Sequence, residues 1–357
     1  MNTFQSPIIN SDDWVLVTGS NGFIGTYVVQ RLLEHGYTNV KCFVRPTSDI
    51  RTLTRLKTEN PSANIRILEG NLLSKEDCRR AADNVSVIFH LAAGVEKTFA
   101  GAFMNSVVAT RNLLDVLKNS SKFIRFVNVS SFSVYSNANL KRRDLLDESC
   151  DLENDPVSRH EPYCFGKLKQ EEIVREYTTK YGLNTVQVRP GAVYGPGKNQ
   201  ITGRVGIDTF GFFMHLGLSN QIPFIYVENC AEAIVLAGII PGVDGEYFNL
   251  VDDELPSSKD FLKAYRDNVT RLPAIPVAYP IFYFFSFVWE KYSIISKGQL
   301  APVFNRKRCM ANWKGNRYDN RKLKSGLGWK PIVSTTDGMK NYFNYCKQNL
   351  SGVKVDT

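Results

Sequence analysis

The fold is decided by a stretch at positions 14–25 that reads WVLVTGSNGFIG. Its first five residues are apolar or β-branched, which is typical of a buried parallel strand. Beyond the glycines, apolar residues recur at helical spacing, so the stretch predicts a strand, a glycine turn and a helix. In this setting one glycine permits the turn, a second lets the backbone approach a pyrophosphate, and a third lets helix and strand pack closely. The stretch therefore predicts a dinucleotide site at a helix N-terminus.

The glycine spacing is G-x-x-G-x-x-G, which differs from the G-x-G-x-x-G of the common dinucleotide fingerprint. The alternative is a tight strand-to-helix turn that binds no ligand. The strand and helix around the turn favour the cofactor site. The contacts predicted on this loop are Gly19, Asn21, Gly22, Phe23, Ile24 and Gly25.

Length and composition are those of a globular protein with one large and one smaller lobe. The chain has 357 residues, of which 43% are hydrophobic and 22% charged. The net charge of +9 favours anionic partners, namely a phosphorylated cofactor, a nucleotide-linked substrate or an anionic membrane surface. The alternative is that the charge only maintains solubility. Because the sequence contains no known nucleic-acid module, no nucleic-acid partner is expected.

Cysteine usage and hydropathy indicate the compartment. The seven cysteines are odd in number and form no C-x-x-C pair, which favours reduced thiols and no metal site. The N-terminus shows no signal-peptide pattern, and no apolar stretch reaches the roughly 18–20 residues that span a bilayer. These features predict a cytoplasmic protein, with peripheral membrane attachment as an additional option.

Strands and helices alternate along the first two-thirds of the chain. This order predicts an α/β fold, a doubly wound parallel Rossmann sheet, with a smaller, mostly helical C-terminal substrate lobe. We assign residues 12–197 and 223–253 to the NADP-binding Rossmann domain, and 198–222 and 254–357 to the substrate-binding lobe. Ligands of such sheets bind beyond the carboxyl ends of the strands.

The end of the second strand bears on cofactor choice. An acidic residue there usually binds the ribose 2′-hydroxyl of NAD, whereas an arginine accommodates the 2′-phosphate of NADP. Here the strand ends in Arg45, and the first acid, Asp49, comes four residues later. The sequence therefore favours NADP(H), with NAD(H) as the alternative. The alternative for Arg45 is that it is simply a solvated loop residue with no contact to the cofactor.

Further motifs, in this order, make the chain resemble the extended short-chain dehydrogenase/reductase superfamily. They are TGSNGFIG at 18–25, HLAA at 90–93, Asn105, VSS at 129–131, YCFGK at 163–167 and RPGAVYGP at 189–196. The resemblance is to the NAD-dependent epimerase/dehydratase type. Within it, the chain is most similar to the 3β-hydroxysteroid dehydrogenase and dihydroflavonol reductase branch.

The resemblance implies a Ser-Tyr-Lys catalytic site. Tyr163 would be the general acid/base, and Lys167 would lower its pKa and hold the nicotinamide ribose. Ser131, with Ser130 as the lesser candidate, would hydrogen-bond the reacting oxygen, and Asn105 would support a proton relay. The resemblance also implies cofactor contacts for Tyr163 and Lys167. Besides the glycine loop and Arg45, the further cofactor contacts that it implies are Asn71, Leu72, Leu91, Ala92, Ala93, Pro190 and Val193. At position 71 the family often carries Asp, and Asn can still hydrogen-bond there.

One departure from the superfamily bears on the substrate. Nucleotide-sugar epimerases and dehydratases usually have an asparagine where this chain has Ala192. We therefore favour an NAD(P)-dependent oxidoreductase that interconverts a hydroxyl and a ketone on a bulky, apolar substrate. The alternative is a nucleotide-sugar epimerase or dehydratase with transient hydride transfer to bound NAD(P), and a third option is a cofactor-gated binding protein.

The apolar, aromatic segment 276–296 is too short to span a bilayer. It predicts either a buried helix of the substrate lobe, or an apolar lid or interfacial anchor. Basic residues follow it, which suits anionic head groups. The partners considered are therefore a small-molecule substrate, a membrane surface at 276–296 and a second copy of the chain in a homodimer.

Overall fold

The computed structural model describes residues 6–350 except 95, 210–211 and 298. Its centre is a seven-stranded sheet in which every pairing is parallel, and the strand order is β11-β6-β5-β4-β1-β2-β3. The predicted doubly wound parallel sheet is thereby confirmed. Its strands are β1 Val15–Thr18, β2 Asn39–Val44, β3 Asn64–Glu69, β4 Val87–His90, β5 Arg125–Val129, β6 Thr185–Pro190 and β11 Tyr247–Leu250.

The central strands are apolar because both of their faces are covered. All residues of β1, β4, β5 and β6 are buried, as expected for a parallel sheet between two helical layers. Val17 of β1 lies opposite Cys42 of β2 and Phe89 of β4, so the glycine turn leaves the middle of the sheet. The turn therefore emerges where the strand order reverses, which is the usual ligand position.

Helices cover the two faces of the sheet in separate layers. One apolar core lies under α1 Phe23–Glu34 and α7 Val227–Ile239, and the other under α3 Lys75–Ala82, α5 Ala109–Leu117 and α6 Pro162–Tyr181. The other helices are α2 Arg51–Glu59, α4 Phe99–Ala102, α8 Ser258–Asn268, α9 Tyr279–Ile295, α10 Arg306–Trp313, α11 Arg321–Leu327 and α12 Thr335–Gln348.

The sequence predicts one long helix from about residue 100 to 118, and the structure divides it. A six-residue π-helix, Phe103–Val108, connects α4 to α5. A π-helix widens the backbone by one residue and often occurs at functional sites. It contains Asn105, so the local winding of this segment determines where that side chain points.

The C-terminal part contributes small sheets and an aromatic core. β7 Ala192–Tyr194 pairs with β10 Phe224–Tyr226, and β8 Gly206–Thr209, β9 Phe212–His215 and β12 Ala274–Pro276 form a three-stranded sheet. Helices α8 and α12 bury Phe261, Tyr265, Tyr342 and Phe343 together. These aromatic rings form a core separate from the two beside the large sheet.

Two further features concern membranes and thiols. No helix within the described residues is long and apolar enough to cross a bilayer. All seven cysteines are free thiols, and only Cys150 is more than slightly accessible. Burial raises the pKa of Cys42 and Cys164 to about 12, so these thiols stay protonated at neutral pH.

Candidate active site at the carboxyl ends of the strands

The glycine turn contains three glycines, and each position favours glycine for a different structural reason. Gly19 has a φ of +67°, a left-handed conformation that favours glycine. A Cβ at Gly25 would lie 2.1 Å from the Gly19 carbonyl oxygen, so only glycine lets α1 pack on the turn. A Cβ at Gly22 would meet only that same oxygen, at 3.1 Å, and would otherwise face open space.

The start of α1 fits a pyrophosphate. Gly22 is the N-cap and provides no side-chain hydrogen bond to the first turn. The backbone N–H groups of Phe23 and Ile24 therefore have no intrahelical partner, and the helix dipole adds positive charge there. Since Gly22 leaves the adjoining space open, the loop is shaped for a dinucleotide cofactor.

Three serines follow β5 at its carboxyl end. Ser131 is half-buried and caps a short 3₁₀ helix, with its Oγ accepting a hydrogen bond from the Ser133 amide at 3.1 Å. The buried hydroxyls of Ser130 and Ser133 have no hydrogen-bond partner among the described residues. Buried polar groups are usually paired, so unpaired hydroxyls on both sides of Ser131 suit a site that receives a ligand oxygen.

Tyr163 and Lys167 lie one turn apart at the start of α6, which begins at Pro162. Tyr163 is half-buried, whereas Lys167 is only 3% exposed. The Lys167 amine donates to the Val129 carbonyl at 2.6 Å, which fixes it at the end of β5, two residues before Ser131. Burial lowers the pKa of Lys167 to about 7, against the opposing attraction of Glu171. Its positive charge therefore depends on which anionic groups bind nearby.

A chain of buried hydrogen bonds leads away from Lys167. Its amine also donates to Gln170 Oε1 at 3.0 Å, and Gln170 Nε2 donates to Thr110 Oγ1 at 2.9 Å. Gln170 is fully buried, so its amide has one orientation that satisfies both contacts. The chain joins α6 to α5 and keeps the lysine in place.

The same chain continues to β1 through His90. Thr110 donates its one proton to the Ser106 carbonyl, so it accepts a hydrogen bond from His90 Nε2 at 2.9 Å. The other ring nitrogen, Nδ1, then accepts from Thr18 Oγ1 at 2.8 Å. Burial, assisted by the nearby Lys167 charge, lowers the pKa of His90 to about 3. His90 is therefore a neutral structural link between the glycine turn and Lys167.

Asn105 lies beside the site on the π-helix. Its amide donates to Glu96 Oε1 at 2.7 Å. The neighbouring Ser106 hydroxyl accepts from the Gly94 amide at 3.3 Å, which holds the π-helix against the end of β4. The part of Asn105 in a proton relay stays a prediction.

The remaining predicted cofactor residues surround the glycine turn. A Cβ at Gly19 would lie 3.0 Å from the Ala92 amide nitrogen, so the end of β4 packs tightly against the turn. Arg45 follows β2, is exposed, and has no carboxylate partner within the described residues, while Asp49 is paired with Arg51. Leu91, Ala93 and Val193 are half-buried, and Leu72 and Pro190 are buried.

Asn71 is exposed and partly committed to its own loop. Its side-chain oxygen accepts from the Leu73 amide at 3.0 Å, and its backbone N–H donates to Asp77 at 2.8 Å. The side-chain NH₂ has no protein partner among the described residues. Asn71 can therefore still donate to a cofactor, whereas an aspartate there could only accept.

A cleft of about 430 Å³ lies beyond the 3₁₀ helix that follows Ser131. Its walls come from the segment after the 3₁₀ helix, from residues 151–154 and from α10. The ring of Tyr318 packs against Phe132, the residue after Ser131, with ring centres 5.7 Å apart and the rings tilted by 39°. Arg204 Nη1 donates to the Tyr318 hydroxyl at 3.4 Å and to the Ala311 carbonyl at 3.3 Å, and Ala311 lines the cleft.

Several residues that contact or adjoin the predicted site residues were not predicted from the sequence. Gln170 follows Lys167 by three positions, a spacing that places both on one helix face and could have indicated contact. Ser133 is two residues from Ser131, so its position in the sequence could also have indicated a hydroxyl next to Ser131. Thr110 and Arg204 gave no sequence signal, because only tertiary packing brings them to the strand ends.

Comparison with known proteins identifies the family. The model of the NAD dependent epimerase/dehydratase family matches residues 15–249. The chain belongs to this family. The resemblance to the extended short-chain dehydrogenase/reductase superfamily is thereby confirmed. The Ser-Tyr-Lys roles that the resemblance implies for Ser131, Tyr163 and Lys167 stay a prediction.

Two relatives illustrate the similarity. The trifunctional UDP-glucose 4,6-dehydratase/UDP-4-keto-6-deoxy-D-glucose 3,5-epimerase/UDP-4-keto-L-rhamnose-reductase RHM2 of Arabidopsis thaliana is 27% identical over 356 residues, covering 94% of this chain and 47% of the relative. The uncharacterized UDP-glucose epimerase YtcB of Bacillus subtilis is 31% identical over 255 residues, covering 66% of this chain and 76% of YtcB. The chain thus spans about half the length of the plant relative.

Solved structures share the fold. The UDP-glucuronic acid 4-epimerase from Bacillus cereus in complex with NAD has a TM-score of 0.68 at 22% identity, covering 94% of this chain and 99% of that one. MoeE5 in complex with UDP-glucose and NAD has a TM-score of 0.67 at 19% identity, with the same coverage. At these identities the likeness establishes the fold alone. Both of these neighbours were solved with NAD bound.

Proposed function

We propose that this chain is a nicotinamide-dependent epimerase or dehydratase that acts on a nucleotide-linked sugar. The observation that carries the proposal is the position of the buried Lys167 amine. It lies one helical turn from Tyr163 and bonds the carbonyl of Val129, two residues before Ser131. Relatives and structural neighbours named for UDP-sugars support this substrate class over the bulky apolar substrate that the sequence favoured.

The protein's own residues divide the work at the reacting carbon. Tyr163 exchanges a proton with the substrate hydroxyl, and Ser131 hydrogen-bonds the same oxygen as it changes between hydroxyl and carbonyl. Lys167 gains its proton when an anionic phenolate or a ribose oxygen lies next to it, because the added partner favours the charged form. The bound nicotinamide supplies hydride acceptance and return.

Arg204 is our candidate for the substrate's anionic group. It is half-buried, yet it has no carboxylate partner within the described residues and bonds only neutral oxygens. A partly buried cation without a counter-ion favours binding of an anion. We propose that Arg204 holds the substrate diphosphate. It would take the place of the asparagine that this chain lacks at position 192, where the Ala192 side chain cannot form a hydrogen bond.

A second candidate is net oxidation or reduction of a less polar substrate. Ala192 favours it, as does the apolar part of the cleft wall, Leu152, Met310 and Ala311. Cinnamoyl-CoA reductase 1 of Petunia hybrida is 29% identical over 184 residues, covering 51% of this chain and 55% of the relative. Incubation with UDP-sugars and NAD(P) distinguishes the two, since an epimerase isomerises sugar without net cofactor consumption.

Tyr163→Phe tests the proposed acid/base. The change removes one hydroxyl and keeps the ring, so turnover should fall by about 10²–10⁴-fold while cofactor affinity stays nearly constant. The matched control is Tyr181→Phe, at the exposed end of the same helix, which should retain wild-type turnover. If Tyr163→Phe retains most of its turnover, Tyr163 is not the acid/base.

Arg204→Met tests the substrate class separately. Losing a charge-assisted hydrogen bond of about 1.5–3 kcal/mol should raise the KM for a UDP-sugar roughly 10–150-fold. The control is Arg317→Met, an exposed arginine beside Tyr318, for which we expect no change. An unchanged KM in Arg204→Met would remove Arg204 from the substrate site without affecting the assignment of Tyr163.

A further inference from the structure

Helix α9 carries an apolar face that the described protein does not cover. Ile281, Phe284, Val288, Tyr292 and Ile295 are 65%, 66%, 48%, 56% and 74% exposed, respectively. Their spacing of three and four residues places them in one stripe along the helix. At 1.5 Å per residue the stripe is about 21 Å long. Single exposed apolar residues are common, but a continuous stripe of this length indicates an interaction site.

The opposite face of α9 accounts for the stability of the helix. Phe282 is buried against Trp313 and Phe304, and Ser286 and Ser293 satisfy their hydroxyls through backbone carbonyls. Trp289 donates from its indole nitrogen to the Ala301 carbonyl at 3.2 Å. The segment is therefore neither wholly core nor wholly a free anchor. One side fixes the helix to the protein, and the other side faces outward.

The charges of the segment that carries this face are mostly positive. Between residues 271 and 308 the only acidic residue is Glu290, and Arg306 pairs with it at 3.0 Å. Lys291, within the C-terminal half of the stripe, and Lys297, just beyond it, are exposed and have no carboxylate partner within the described residues. This side of α9 therefore presents apolar side chains next to uncompensated lysines.

We propose that the exposed face of α9 docks on an anionic lipid bilayer. Ile281, Phe284, Val288 and Ile295 would enter the boundary between head groups and acyl chains, while Lys291 and Lys297 contact anionic head groups. The charge pattern favours lipid over a second copy of the chain, because a symmetric dimer through this face would offer the lysines no unpaired carboxylate from the same segment, since Glu290 already pairs with Arg306. Helix α9 then lies in the interface without crossing the bilayer.

Flotation of the full chain with vesicles tests the proposal. Wild-type protein should bind phosphatidylcholine vesicles that contain phosphatidylserine and bind phosphatidylcholine alone at least tenfold more weakly. Phe284→Ser with Val288→Ser should reduce binding to the anionic vesicles at least tenfold. Lys291→Glu with Lys297→Glu should lower it by about fivefold for each lysine.

The control variant is Val157→Ser with Ile332→Ser, two residues outside α9 that are 51% and 43% exposed. It should bind vesicles as wild type does, and thermal melts should show that all variants are folded. Sedimentation velocity provides the competing outcome. If wild-type protein is a dimer that Phe284→Ser with Val288→Ser converts to a monomer, the face binds a second copy. That result, or the absence of vesicle binding by wild type, overturns the proposal.

Discussion

Replacing Gly22 by valine should separate cofactor binding from folding. Gly22 has φ −76° and ψ 170°, an extended conformation that any residue adopts, so valine introduces no backbone strain. Its Cβ would meet only the Gly19 carbonyl oxygen, at 3.1 Å, which requires a shift of a few tenths of an ångström. The loss of glycine's freedom in the unfolded chain offsets part of this cost, about 0.4–1 kcal/mol. We expect the free energy of unfolding to change by no more than about 1–2 kcal/mol.

The effect on cofactor affinity should be much larger. The valine side chain would fill the space beside the free N–H groups of Phe23 and Ile24. If the pyrophosphate loses both charge-assisted hydrogen bonds, at about 1.5–3 kcal/mol each, the Kd rises roughly 10²–10⁴-fold. Titration calorimetry with NAD(H) and NADP(H) measures the affinity, and urea unfolding measures the stability.

Gly25→Val provides the contrast for that experiment. Its Cβ would lie 2.1 Å from the same carbonyl oxygen, so α1 would have to move and the protein should lose stability as well as affinity. An unchanged dinucleotide affinity in Gly22→Val would refute the assignment of the glycine turn as the pyrophosphate site.

Two further changes test the cofactor and the buried lysine. Arg45→Asp should shift the ratio of the Kd values for NADP(H) and NAD(H) towards NAD(H) by roughly 10–100-fold, since it replaces a predicted phosphate partner with a ribose partner. Arg55→Asp, at an exposed position of α2, is the control, and an unaltered ratio excludes Arg45 from the cofactor site. For Lys167, the folded pKa of about 7 lies below the ordinary 10.5, so the unfolded state binds the extra proton between these pH values. Wild-type stability should therefore rise relative to Lys167→Met from pH 7 to about 10, by up to ~1.4 kcal/mol per pH unit in urea melts of the cofactor-free proteins. Parallel stability curves would contradict the buried state of the amine.

The proposed substrate class differs from the one that the sequence favoured. Ala192 favoured a bulky apolar substrate, and an apolar lid formed by the aromatic segment 276–296 would have suited one. The structure shows that the exposed stripe of this segment is on the surface, and the buried side packs on α10 and its neighbours. The apolar character of the buried side is thereby explained without an apolar substrate. Relatives named for UDP-sugars then become the stronger support.

Sequence alone determined the parallel sheet, the glycine turn and the family motifs. These depend on local patterns, because buried parallel strands need apolar runs and a pyrophosphate turn needs glycines at set positions. The spacing of Tyr163 and Lys167 likewise follows from helix geometry, since residues four apart share a face. Such features are encoded within a few neighbouring residues.

Only the tertiary structure determined the surroundings of those residues. The buried chain from Lys167 through Gln170, Thr110 and His90 joins three elements, α6, α5 and β4, that are separate in sequence. Burial within that chain lowers the pKa of Lys167 to about 7, and no local pattern encodes the loss of solvent around one amine. The exposed stripe of α9 has the same origin, because both of its faces are apolar in sequence and packing covers only one of them.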